Sequence, residues 1–134
     1  MKTKLQKLFP GFSLVEVLAA VAIIGVVTFM AIPNIVRLKL DGEENLVRAR
    51  GETLNMAMAS YVQALGMTTA NSIWTSAGSD QARYSNMAIY IAFAPANLSN
   101  GFMPRGYTAT LPPSLTNLAV KTTLTGPNGS NIPY

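Results

Sequence analysis

The feature that most limits the fold of this chain is an uninterrupted apolar run close to its N-terminus. Residues 12–32 are mostly apolar, and residues 17–32 contain no charged side chain. As an α-helix rising about 1.5 Å per residue, the segment 12–32 spans about 31 Å, which is enough to cross the hydrocarbon core of a bilayer. The sequence therefore predicts one membrane-spanning helix ahead of the domain that follows.

Positive charge is concentrated immediately before this run. Lys2, Lys4 and Lys7 lie within the first seven residues, whereas the remaining seven basic and six acidic side chains nearly balance. Because basic residues ahead of an apolar helix stay on the cytoplasmic side, we expect the rest of the chain to lie across the membrane. An ordinary secretory signal or a plain anchor shares this pattern, but the nearest signal peptidase site, residues 20–22, lies inside the run.

Glu16 is unusual because it is a carboxylate near the start of a membrane helix, where it costs several kcal/mol unless it is partnered. It lies four residues after Phe12, one turn away on a helix. Cleavage between Gly11 and Phe12 would create an α-amino group that Glu16, in the same chain or an adjacent one, could neutralise. The burial penalty would then favour assembly, because only a packed subunit has its charge paired.

The segment Gly11-Phe12-Ser13-Leu14-Val15-Glu16, between the basic leader and the apolar run, resembles the prepilin cleavage and methylation motif of type IV pilins and type II secretion pseudopilins. The resemblance implies that a membrane-embedded prepilin peptidase cleaves after Gly11 and methylates Phe12, and that Glu16 is the assembly carboxylate. Pro33 also matches a proline common in the family. The implied partners are identical subunits in a helical filament, the prepilin peptidase, an inner-membrane assembly platform and other pilins or pseudopilins.

The sequence divides into a leader (1–11), a transmembrane or filament-core helix (12–33), an amphipathic continuation of that helix (34–66) and a small globular head (67–134). Gly25 and Pro33 weaken the apolar helix, since glycine has a low helix propensity and proline removes a backbone hydrogen bond. Gly66 is a natural C-terminal stop. Apolar side chains of the continuation follow one helical stripe, which comprises Val47, Leu54, Met58, Tyr61 and Leu65.

The head is expected to hold a small antiparallel sheet packed on the preceding helix. Strands are predicted at 107–111 and 118–124, and 132–134 closes a hairpin after a turn at 126–129, whereas 82–93 is either a helix or a strand. Six aromatic side chains would supply its core: Trp74, Tyr84, Tyr90, Phe93, Phe102 and Tyr107. The predicted fold class is α+β, a long N-terminal helix with a small antiparallel β-sheet head, as the resemblance implies for a pilin-like subunit.

Composition disfavours an enzyme. The chain has no His and no Cys, so it lacks the commonest general base, the commonest zinc ligand and a thiol nucleophile. We expect no catalytic residue, no cofactor and no metal site; the calcium site common in the main secretion pseudopilins is disfavoured because no carboxylate follows Asp80. Arg83, Arg105 and Lys121 are too few to form a nucleic-acid-binding face.

These observations favour a structural subunit of a type IV filament-like assembly. We expect it in the bacterial inner membrane with its head in the periplasm, and then in a periplasmic or extracellular filament. The small, cysteine-free head slightly favours a secretion pseudopilin over a closely similar type IV pilin. Two alternatives stay open: a minor pilin whose head binds a surface, cargo or DNA, and a plain membrane-anchored or secreted protein with an uncut or ordinary signal segment.

Overall fold

The computed structural model describes residues 11–134, so the basic leader residues 1–10 lie outside the described part of the chain. The elements, in chain order, are α1 (Leu14–Leu65), α2 (Met67–Ser76), α3 (Asp80–Met87), a 3₁₀ turn (Ala88–Tyr90), a single π-type turn (Leu98–Phe102) and the strands β1 (Thr108–Thr110), β2 (Thr123–Thr125) and β3 (Asn131–Ile132). The chain divides into two compact units, one up to Lys39 and one from Leu40 to Tyr134. The α+β class predicted from the sequence is confirmed.

The described residues of the first unit belong to the N-terminal part of α1 and the three residues before it. Every side chain from residue 11 to residue 39 is exposed, including the apolar run. The predicted start of the helix at Phe12 is two residues early, because α1 begins at Leu14. Pro33 lies inside the helix, which continues through it and through Gly25.

In the second unit, the apolar stripe of α1 faces the core of the head. Its predicted members Val47, Leu54, Met58 and Tyr61 are buried. Leu65 is not, because α1 ends there and its side chain is 39% exposed. The helix stops as predicted before Gly66, whose φ of 78° lies in the left-handed region that glycine adopts without steric cost.

Two helices of the head, α2 and α3, have no counterpart in the sequence prediction, apart from the open choice between helix and strand for 82–93. That segment begins inside α3 and continues into the 3₁₀ turn, so the helical alternative is correct as far as Tyr90. Ser79 caps α3, since its side chain accepts a hydrogen bond from the Ala82 N–H at 3.2 Å.

The sheet has three antiparallel strands in the order β1-β2-β3. Ala109 pairs with Leu124, and Leu124 pairs in turn with Ile132. The predicted turn at 126–129 is present, with the Gly129 N–H donating to the Gly126 carbonyl at 3.0 Å. The predicted strand at 118–124 is wrong over most of its length, because a turn at residues 117–120 precedes β2, closed by a 3.2 Å bond from the Val120 N–H to the Asn117 carbonyl.

The head core is aromatic, as predicted, with one exception. Trp74, Tyr84, Phe102 and Tyr107 are buried and Tyr90 is half-buried, whereas Phe93 is fully exposed. The buried Trp74 indole donates a 2.7 Å hydrogen bond to the Pro112 carbonyl. This bond ties α2 to the segment that follows β1.

Side chains of the C-terminal segment 121–134 pack against α1 in the second unit. Asn55 donates to the Tyr134 hydroxyl at 3.2 Å, and the same hydroxyl donates to the Thr122 carbonyl at 2.5 Å. Lys121 pairs with Glu52 at 2.8 Å, and its ammonium lies 4.9 Å from the centroid of the Tyr134 ring. We call Lys121, Thr122 and Tyr134 the C-terminal clamp.

Candidate functional site

On the described side of the predicted cleavage point, residues 11–13 lie outside regular structure. Gly11, Phe12 and Ser13 precede α1, and the Phe12 side chain is 90% exposed. No other part of the described chain lies within 4 Å of where a Cβ on Gly11 would be. Among the described residues, the peptide bond between Gly11 and Phe12 is thus exposed and lies ahead of the helix.

Ser13 and Glu16 form a reciprocal pair at the start of α1. The Glu16 N–H donates to Ser13 Oγ at 3.2 Å, while the Ser13 N–H donates to Glu16 Oε2 at 2.8 Å. This arrangement is a capping box, in which a serine at the cap and a glutamate three residues later satisfy two backbone donors that a helix start leaves free. Ser13 is thus a residue of the site that the sequence interpretation missed, although the Ser-x-x-Glu spacing was readable.

The capping box changes how Glu16 relates to Phe12. The sequence prediction placed them one turn apart on a helix, which is wrong because Phe12 lies ahead of α1. Both residues nevertheless border the same open groove, with Val17, Ala20 and Val21. The capping box occupies Glu16 Oε2, and within residues 11–134 no hydrogen bond reaches Oε1. One carboxylate oxygen therefore remains available to a cation outside these contacts.

The apolar run has the properties of a membrane span by length and composition. Of the helices in residues 11–134, α1 alone is long and apolar enough to cross a bilayer, and its most apolar window is entirely exposed. Apolar side chains that no protein atoms cover need lipid or other subunits around them. The helix-weakening roles predicted for Gly25 and Pro33 stay predictions, since both residues are helical here.

The head has no arrangement of side chains typical of an active site. Residues 11–134 contain no group of three or more His, Cys, Asp or Glu side chains that could hold a metal ion. Asp80 is paired with Arg83 at 3.2 Å. Burial raises the pKa of the Tyr61, Tyr84 and Tyr107 hydroxyls, which keeps them neutral within the packed core.

Comparison with known protein families identifies the N-terminal site. Residues 10–32 match the family model described as the prokaryotic N-terminal methylation motif. No curated protein and no solved structure matches the chain. The matched segment covers Gly11, Phe12, Ser13 and Glu16 and the whole apolar run.

The chain thus carries the hallmark motif of the type IV pilin and pseudopilin family, and the resemblance drawn from the sequence is confirmed. The motif supports the view that the chain is a substrate of the prepilin peptidase, is anchored in the membrane and assembles with other pilins.

Proposed function

We propose that this chain is a structural subunit of a type IV filament-like assembly. Before assembly, the subunit resides in the bacterial inner membrane with its head in the periplasm. The prepilin peptidase cleaves it after Gly11 and methylates Phe12, and the apolar helix then packs in the core of a helical filament. The single observation that carries this proposal is the exposed, non-helical Gly11–Phe12 peptide directly ahead of a capped apolar helix that bears Glu16.

The energetics of Glu16 support assembly through charge pairing. A free subunit in lipid holds the Glu16 carboxylate with only the capping box to satisfy it, at a cost of several kcal/mol. In a filament, Oε1 accepts a hydrogen bond from the Phe12 ammonium of a neighbouring subunit. Pairing two charges in an apolar surrounding removes most of this penalty, so the assembled state is favoured over the dispersed one.

The capping box offers a rival explanation for Glu16, in which its role is only to start the helix. Substitution separates the two, because glutamine also completes a capping box but carries no charge. Glu16→Gln keeps the helix start and removes the charge, whereas Glu16→Val removes both. Ser13→Ala weakens the cap by about 1 kcal/mol and leaves the charge.

The experiment expresses these variants beside the native assembly machinery. It measures leader removal by intact mass and filament yield by shearing and pelleting. The proposal expects all three variants to be inserted and cleaved, Glu16→Gln and Glu16→Val to give little or no filament, and Ser13→Ala to retain assembly. Normal filament yield from Glu16→Gln would remove the charge-pairing account.

Within this class, we propose a type II secretion pseudopilin rather than a surface pilin. The support is the small, cysteine-free head with short strands and little elaboration beyond its core. Deletion of the gene should then block export of a secreted protein through the outer membrane without loss of surface fibres. Loss of surface fibres with intact export would favour the type IV pilin instead.

We also propose that the chain has no catalytic activity of its own. Its carboxylates in the head are few, and Asp80 is engaged by Arg83. Hydrolytic activity of the purified chain that a single substitution abolishes would contradict this proposal.

A further inference from the structure

Two apolar side chains of the head are exposed to solvent, and one of them, Phe93, was predicted to lie in the core. The Phe93 side chain is fully exposed and the Ile89 side chain is 80% exposed. No charged residue occurs between Arg83 and Arg105. We call Ile89 and Phe93 the apolar knob.

The backbone of the knob is held in a strained conformation. Phe93 has a φ of 57°, in the left-handed region that bulky residues rarely occupy. The following Pro95 is fixed on both sides: its carbonyl accepts a 2.8 Å hydrogen bond from the Tyr84 hydroxyl, and a Cβ on Gly101 would lie 2.8 Å from its ring. Strain of this kind persists only where surrounding contacts impose it, and it concentrates at functional positions.

The same head has a cavity that nothing in the chain fills. Its volume is about 390 Å³, and it is lined by Ser99, Asn100, Met103, Arg105 and Gly106. This volume lies within the range of about 300–1,000 Å³ typical of sites that enclose a small molecule, so an aromatic ring fits.

Arg105 differs from the other cations of the second unit. Arg48, Arg50, Arg83 and Lys121 each make a hydrogen bond or an ion pair. Within residues 11–134, the Arg105 guanidinium makes neither. A guanidinium packs favourably against an aromatic ring, so the exposed Arg105 suits the cavity to a phenylalanine side chain. Met103 borders the cavity from the core and is only 3% exposed.

We propose that the apolar knob of one copy of this chain docks in the Arg105 cavity of the next copy. This inference rests on the proposed filament function. Two different, complementary surfaces on one chain form a heterologous contact, and such contacts propagate into open helical polymers rather than closed dimers. The Phe93 ring packs in that cavity against the Arg105 guanidinium, and its exposed surface is thereby removed from water.

The absence of native cysteine allows a direct test by disulfide formation. Full-length Ile89→Cys and Ser99→Cys subunits, which both keep the Phe93 ring, are expressed together with the assembly machinery, and sheared filaments are analysed without reductant. The proposal expects a cross-linked dimer from the mixture and none from either variant alone, since a disulfide needs Cα atoms within about 7 Å. Ile89→Cys mixed with Ser72→Cys, on the exposed part of α2, is the control and should give no dimer.

Each other result has a distinct meaning. Filaments from the mixture without a cross-linked dimer would overturn the docking proposal and leave the filament function standing. A dimer from Ile89→Cys alone would also overturn it, because like surfaces would then meet. Absence of filaments from the wild-type chain would instead overturn the proposed function.

Phe93→Gly distinguishes an effect on docking from an effect on folding. Glycine adopts the φ of residue 93 without strain, so the thermal midpoint of the full chain in detergent should be unchanged or higher. Filament yield should nevertheless fall, because the ring is lost. Wild-type yield from Phe93→Gly would contradict the proposal.

Discussion

Gly51 lies against the ring of Tyr134 so closely that no side chain fits between them. A Cβ at position 51 would stand 3.0 Å from Tyr134 Cζ and 2.7 Å from Leu124 Cδ1. Helix α1 thus approaches β2 and the C-terminal clamp through a residue without a side chain. The contact explains why a glycine occupies a buried position in the middle of a helix.

We predict that Gly51→Ala destabilises the head by about 1 kcal/mol. Overpacking against Leu124 and Tyr134 costs about 1–3 kcal/mol, and the better helix propensity of alanine returns up to about 1 kcal/mol. Thermal unfolding of the full chain in detergent, followed by near-ultraviolet circular dichroism, measures the change. All five tyrosines and the tryptophan lie in the second unit, so this signal reports on the head.

Gly42→Ala is the matched control in the same helix. Nothing lies within 4 Å of a Cβ built at position 42, so only the propensity gain of up to about 1 kcal/mol applies. The two alanine variants should therefore shift the unfolding midpoint in opposite directions. A stabilising effect of Gly51→Ala equal to that of Gly42→Ala would show that the contact with Tyr134 is not tight.

The ion pair of the C-terminal clamp should make stability depend on pH at both extremes. The hydrogen bond from Lys121 lowers the pKa of Glu52 below its ordinary value of 4.5, and the same bond raises the pKa of Lys121 above 10.5. The contribution of Glu52 is therefore present above pH 4.5 and lost as pH falls through its lowered pKa. That of Lys121 is present below pH 10.5 and lost as pH rises through its raised pKa.

The difference in unfolding midpoint between the wild type and Glu52→Gln measures this contribution. It should be constant between about pH 5 and pH 10 and shrink below pH 4.5. Both side chains are about half exposed, so the difference should also decrease with added salt. A difference that persists unchanged at pH 2 would assign the effect to packing rather than to charge.

The indole hydrogen bond of Trp74 supplies a prediction for the core. Trp74→Phe leaves the buried Pro112 carbonyl without its donor, which costs about 1–3 kcal/mol. We expect the unfolding midpoint to fall by about 4–8 °C for each kcal/mol lost. Ile73→Ala, at a more exposed position of α2, should change stability by less than about 0.5 kcal/mol. Equal effects of the two substitutions would contradict the importance of the bond.

A bulky residue at position 11 should block removal of the leader without disturbing the fold. The space around Gly11 in this chain is open, so Gly11→Leu should fold and insert normally. We expect its leader to stay attached, because the resemblance assigns Gly11 as the residue after which the peptidase cuts. Immunoblots of membranes should show the uncleaved form and no filaments. Filaments built from uncleaved Gly11→Leu subunits would exclude cleavage as a step before assembly.

The N-terminal site could be predicted from the sequence because its signals are local. Gly11, Phe12 and Glu16 lie within six residues, and the apolar run follows at once. Ser13 belongs to an equally local signal, because the Ser-x-x-Glu spacing is the sequence pattern of a capping box. Helix α1 was also predictable as far as Gly66, since periodicity and a glycine stop are properties of neighbouring residues.

The head was less predictable because its elements depend on distant contacts. Glu52 lies four residues after Arg48 on α1, but its ion-pair partner is Lys121, 69 residues later. Helix α2 is rich in Thr, Ser and Asn, and the burial of Ala70 and Trp74 is the chief reason it has a packed face. The sequence predicts Phe93 in the core because phenylalanine is usually buried, whereas the structure leaves its side chain fully exposed.

The central claim is that the chain is processed as a prepilin, and the mass and N-terminal sequence of the protein from native membranes test it most directly. The account predicts a chain that begins at Phe12 and carries one additional methyl group. A chain that begins beyond Ala22 would indicate an ordinary secreted protein. A chain that still begins at Met1, in a host with an active prepilin peptidase, would indicate a simple anchor, and either result would contradict the account.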